Sequence, residues 1–115
     1  MSIKITFHGA CGIVTGSCYE VRTSSAAVLI DCGIFQGTKT VKALNYEPFR
    51  FEQRTINAVV LTHAHLDHCG LLPKLSVSGY KGPMLATPAT AALLSYVLPD
   101  AGYVQEMDVA RLNRR

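Results

Sequence analysis

Six consecutive positions, His63-Ala64-His65-Leu66-Asp67-His68, hold three imidazoles and one carboxylate. A packed core accepts such a concentration of polar groups only if each finds a partner, because every one left unpaired costs about 1–3 kcal/mol. The segment ahead of them, Ile56-Asn57-Ala58-Val59-Val60-Leu61, is largely apolar and β-branched, the pattern of a buried strand. Such a strand delivers His63 to its C-terminal end. Side chains alternate faces along extended backbone, so His63 and His65 fall on the same side. Asp67 then stands where a helix can begin, ahead of Cys69-Gly70-Leu71-Leu72-Pro73-Lys74-Leu75, and a carboxylate suits a helix N-terminus. Neutral imidazole nitrogen and carboxylate oxygen are the ligands of a borderline cation such as Zn²⁺. His63, His65, Asp67 and His68 therefore form a candidate metal-ligand set spread over a strand end, a turn and a helix start.

The remaining elements are read around that set. Ile3-Lys4-Ile5-Thr6-Phe7 alternates like an edge or half-buried strand. It runs into residues 8–17, a loop whose three glycines allow close backbone approach but whose spacing matches neither a P-loop nor a dinucleotide fingerprint. His8 reads as a polar residue at a strand end and not as a ligand. Residues 17–22 and 26–31 predict two strands of a hairpin joined by Thr23-Ser24-Ser25. The second ends in Asp31-Cys32-Gly33, where Asp31 either turns the chain or accepts an N–H from the metal loop as a supporting residue. Residues 33–54, with Pro48 and few periodic apolar positions, predict an irregular surface excursion. A helix over 70–76, a turn over 78–83 and a short strand over 84–87 follow. Residues 88–98 predict a helix capped by Thr87 with Pro88 in its first turn. Residues 102–115 predict a further helix that stops without a glycine cap or a proline.

The whole sequence is 115 residues, enough for one small domain. With 49% hydrophobic and 17% charged residues, disorder is excluded as a class and apolar surface in need of cover is expected. A formal net charge of +3 is ordinary for solubility and only weakly favours an anionic partner. No apolar run approaches the roughly 18 residues of a membrane span, and the first residues lack the pattern of a signal peptide. Cys11, Cys18, Cys32 and Cys69 form no C-x-x-C pair and read as reduced core residues of a cytoplasmic protein. Cys69 reads as packing and not as an extra ligand.

Several blocks together resemble a known family. His63-Ala64-His65-Leu66-Asp67-His68 after an apolar strand, with Asp31 at another strand end, resembles the metallo-β-lactamase superfamily and its His-x-His-x-Asp-His signature. Gly9-Ala10, Val14-Thr15-Gly16-Ser17-Cys18, Asp31-Cys32-Gly33-Ile34-Phe35-Gln36-Gly37, the run from Thr62 to Leu75 and that from Leu98 to Glu106 are similar to the β-CASP branch of RNA-processing nucleases. The resemblance implies an α/β fold, the N-terminal half of an αββα sandwich with a mixed sheet and helices on one face. It implies that His63 and His65 hold one zinc and Asp67 and His68 a second, with Asp31 as the supporting aspartate and Asp67 also orienting a hydroxide. The implied activity is hydrolysis of RNA phosphodiesters.

Ligand counting limits what this chain does alone. Two zincs ask for about six donor positions, the motif offers four, and no histidine follows His68. The chain is therefore expected to be a partial domain, a truncated product without the later metal motifs and the β-CASP cap, holding zero or one zinc and inactive by itself. An open apolar sheet predicts a homo-oligomer. Two other readings stay open: a non-catalytic oligomeric fragment, and a hydrolase of small esters or thioesters on the same fold.

Overall fold

The computed structural model describes residues 2–114; Met1 and Arg115 lie outside the described residues, and with them the last position of the expected final helix. Five strands form one sheet in chain order: β1 (Lys4–Phe7), β2 (Tyr19–Arg22), β3 (Ala27–Ile30), β4 (Ala58–Val60) and β5 (Met84–Leu85). β1, β2 and β3 are antiparallel, whereas β4 and β5 run parallel to β3. The hairpin turns at Thr23, whose N–H donates to the Ala26 carbonyl (2.8 Å) and whose hydroxyl accepts from the Ala26 N–H (3.1 Å). This is the local side-chain turn that Ser and Thr favour. The parallel strands need crossovers, and the one between β4 and β5 carries α2 (Leu66–Cys69) and α3 (Leu72–Val77). The strand register places Thr6, Glu20, Leu29, Val59 and Met84 in one row across the sheet.

On that face Ala27, Leu29 and Val59 meet Cys69, Leu71, Leu72 and Leu75, with Cys18, Cys32 and Leu61 closing the strand ends. Leu29, Val59, Leu75 and Cys69 are completely buried. The mixed sheet with helices packed on one face is thus the expected architecture. The alternate row, Phe7, Tyr19, Ile30, Val60 and Leu85, points the other way. Phe7 is 60% exposed and Leu85 53%, so this face is apolar and uncovered.

Two expectations change. Residues 33–54 do not merely skirt the surface: they contain α1 (Lys39–Lys42) and 3₁₀ turns at Ala43–Tyr46 and Gln53–Thr55, and Phe51 is buried in the core. Phe51 stacks on Phe49 (centroids 5.0 Å), and Lys74 of α3 lies over the Phe49 ring while donating to the Asn45 and Glu47 carbonyls. Lys74 is 29 and 27 residues from the carbonyls it reaches, so no periodicity announces the contact. The second change is at the C-terminus, where one 26-residue helix, α4 (Pro88–Asn113), runs through Pro99 instead of the two segments expected. The proline removes one backbone hydrogen bond, and the strong helix formers around it, Ala, Leu, Gln, Glu, Met and Arg, carry the helix onward. Thr87 caps α4 as expected, accepting from the Thr90 N–H. Leu94, Val97 and Leu98 pack on the core, whereas Tyr103, Val104, Met107 and Leu112 are exposed.

Candidate metal centre

β4 ends beside Asp31, whose N–H donates to the Val60 carbonyl (2.9 Å), and the next residue, Leu61, donates to the Leu85 carbonyl (2.8 Å). Both bonds extend the parallel ladder one step beyond the strands and hold residue 62 in place. Asp31 itself is 2% exposed and adopts φ +64°. A non-glycine residue in that region carries about 1–3 kcal/mol of strain, which persists where surrounding contacts impose it. The contacts here are donors. The Thr62 N–H reaches Asp31 Oδ1 at 2.8 Å, the Thr62 hydroxyl reaches Oδ2 at 2.7 Å, and His68 Nδ1 lies 2.8 Å from Oδ2. Asp31 thus turns the chain and also receives hydrogen bonds from the backbone and side chains of the histidine loop.

The loop is clamped on its other side by backbone. Cys32 N–H donates to the His68 carbonyl and Ile34 N–H to the Leu66 carbonyl (both 2.9 Å), while Leu71 N–H returns a bond to the Cys32 carbonyl (3.0 Å). Ser17, at the end of the glycine loop, donates its N–H to the Asp67 carbonyl and accepts from Gly33 N–H (both 2.9 Å). This brings the Gly33 backbone directly onto Asp67 and His68; any Cβ at 33 would run into the Asp67 carbonyl. Here the glycine is required by close approach.

The four candidate ligands emerge from this clamp as neighbours. The His63 and His65 rings lie 4.6 Å apart, edge to face, and His63 and His68 lie 4.1 Å apart. His68 Nε2 is 3.5 Å from Asp67 Oδ2. His65 precedes α2 and Asp67 sits in its first turn, where the helix dipole favours a carboxylate. Among the described residues, no group of three or more His, Cys, Asp or Glu side chains converges as a metal-binding cage. The donor chemistry nevertheless suits zinc, and His68, held by Asp31 at Nδ1, keeps Nε2 turned toward Asp67, as an outer partner leaves a ligand nitrogen free for a metal.

His8 and Cys69 make contacts of their own. His8 Nε2 pairs with Glu20 Oε1 at 2.9 Å, on the core face of the sheet. Burial pushes the Glu20 carboxyl upward, but hydrogen bonds from His8 and Arg22 outweigh it and leave the group below its ordinary range. Burial and the nearby Asp31 and Asp67 charges push the Cys69 thiol up to about 11. Cys69 Sγ lies 3.6 Å from the Ala64 carbonyl as a weak donor. Sequence reasoning missed Thr62. Its signal was a single hydroxyl between an apolar strand and the first histidine.

A sheet of this topology with a His-x-His-x-Asp-His loop at the strand ends defines a class. Residues 11–90 match the Metallo-beta-lactamase superfamily model, and the chain belongs to that superfamily. More particularly, it is 48% identical over 99 residues to a ribonuclease of Thermus thermophilus, a match covering 86% of this chain and 22% of that protein. It is 41% identical over 93 residues to the transcription termination factor FttA of Methanosarcina mazei, covering 80% and 15%. The chain therefore spans about a fifth, or less, of the length of these relatives. Among solved structures, its fold is similar to BJP-1, a subclass B3 metallo-β-lactamase of Bradyrhizobium japonicum, with TM-score 0.55 and 26% identity over 78% of this chain and 32% of that one. Among the described residues no helix is long and apolar enough to cross a membrane.

Proposed function

We propose that residues 1–115 form a partial domain of the β-CASP kind, the first part of a zinc-dependent hydrolase that cuts RNA phosphodiesters when complete. The observation that carries this reading is Asp31, buried and in a left-handed conformation, receiving Thr62 and His68 beneath the loop that presents His63, His65 and Asp67. Backbone strain held beneath a group of metal-type donors supports the reading of this loop as a functional site. In this reading His63 and His65 would hold one zinc, Asp67 and His68 a second. Bound zinc would supply Lewis acidity toward a phosphoryl oxygen and a nucleophile available near neutral pH. Asp67 would orient that nucleophile and accept a hydrogen bond from it, while Asp31 fixes His68. The ribonuclease and termination-factor relatives favour RNA over a small ester or thioester as the substrate. A cytoplasmic location accords with that substrate and with four free cysteines.

Four donors do not complete two zinc sites. The chain alone is therefore proposed to bind one zinc at most, weakly, and to leave RNA intact. Metal analysis after equilibration with excess zinc should find no more than one equivalent, lost in His63→Ala and His65→Ala. Two tightly held zincs, or RNA cleavage by the purified chain, would overturn the incompleteness. Zinc retained undiminished in both variants would overturn the ligand assignment. The uncovered row of Phe7, Tyr19, Ile30, Val60 and Leu85 supports the second part of the proposal, a homo-oligomer in which copies cover this face. Light scattering that gives a monodisperse monomer would remove it.

A further inference from the structure

The geometry points to Thr62 as a positioning residue that fixes the imidazole tautomer of His63. Thr62 Oγ1 lies 2.7 Å from Asp31 Oδ2 and 2.8 Å from His63 Nδ1. A hydroxyl has one proton to give. Two oxygens at 2.7 Å need that proton between them, and a carboxylate offers only lone pairs, so the hydroxyl donates to Asp31. Its remaining lone pairs face His63, so Nδ1 must carry a proton and donate to Oγ1. Nε2 is then the unprotonated nitrogen, free as a ligand.

His68 reaches the same state directly, because its Nδ1 lies 2.8 Å from the same Asp31 oxygen. One buried carboxylate thus sets two rings, His68 by contact and His63 through the Thr62 hydroxyl. The Thr62 N–H is also tied to Asp31 Oδ1 at 2.8 Å, which orients the side chain above it. His65, whose ring touches His63 but which has no hydrogen bond of this kind among the described residues, is left to choose its tautomer by other means. The consequence for metal binding rests on the ligand reading proposed above; the tautomer does not.

The test is ¹⁵N NMR of the imidazoles in the metal-free 115-residue chain, at a pH near 8 where an ordinary histidine is neutral. His63 and His68 should both show a protonated Nδ1 and an unprotonated Nε2. In Thr62→Val, which keeps the shape and removes the hydroxyl, His63 should shift toward the Nε2-protonated form or a mixture while His68 stays as it was. Thr62→Ser should restore the wild-type pattern. A purely structural role for Thr62 would move both rings or neither. A wild-type His63 protonated on Nε2, or a His63 tautomer unchanged in Thr62→Val, overturns the proposal; the wild-type spectrum decides even where the valine variant does not fold. Titration with zinc alone should then show about a tenfold or greater loss of affinity in Thr62→Val, the usual scale for a lost outer partner of a metal ligand, with recovery in Thr62→Ser. The tautomer spectra decide the assignment of Thr62 whether or not the 115-residue chain holds zinc.

Discussion

The two faces of the sheet are built from the same kinds of residue and meet opposite fates. On one, Leu29 and Val59 vanish beneath Leu72 and Leu75; on the other, Ile5, Phe7 and Leu85 are each more than half exposed. Strand composition is similar on both, since β3 and β4 are apolar at nearly every position, as befits strands meant to be buried on both sides. The difference lies in what the chain supplies to cover them. Residues 61–77 fold back as α2 and α3 over the first face and, in doing so, set the histidine loop at the strand ends. Burial and site assembly are therefore one event on the covered face.

The largest expected effect tests the covered side. Leu75→Ala, at a completely buried position of α3, should cost about 2–5 kcal/mol in denaturant unfolding; a loss below about 1 kcal/mol would mean that α3 does not cover this face. Gly33→Ala should follow, because the new methyl meets the Asp67 carbonyl and the clamp must open. The cost should be about 1–3 kcal/mol, the range of overpacking, with altered amide shifts for Asp67 and His68. Unchanged shifts there would dissociate Gly33 from the site.

The uncovered face gives the contrast its sharpest form. Phe7→Ser should change stability by no more than about 0.5 kcal/mol if the face is open in solution, and should shift the sedimentation coefficient toward the monomer if another copy covers it. A multi-kcal/mol loss in a strictly monomeric protein would show that the two faces are not as different as their exposure. The smallest effect concerns Glu20, the carboxylate on the covered face. Its folded-state pKa is lowered, so its stabilising contribution is present above the ordinary glutamate value of about 4.3 and is lost as pH falls through the lower folded value. Glu20→Gln should flatten the stability profile in that acid window and leave the neutral region less affected; an unchanged slope would remove the His8–Glu20–Arg22 cluster from the acid response.

Much of this was legible from local pattern. The β4 strand, the hairpin at Thr23, the cap at Thr87 and the clustering of His63, His65, Asp67 and His68 each follow from residues close in sequence, where turn chemistry and strand alternation act. Pattern failed where the deciding partner was remote. Phe51 looked like part of a surface excursion because the ring it stacks on and the lysine that fixes that ring belong to a loop and a helix that meet only on folding. Pro99 looked like a helix end because the proline rule is local, whereas continuation depends on the helix formers on both sides.

The sequence by itself determined that donors of the kind zinc prefers would lie close together at the end of a buried strand, because they fall within six consecutive residues. Only the tertiary structure decided how they are held. Asp31 and Thr62 are 31 residues apart, and nothing in either neighbourhood requires them to meet. Their contact exists because β3 and β4 pair in parallel and release their ends at the same edge, where a buried carboxylate must find donors or pay for their absence.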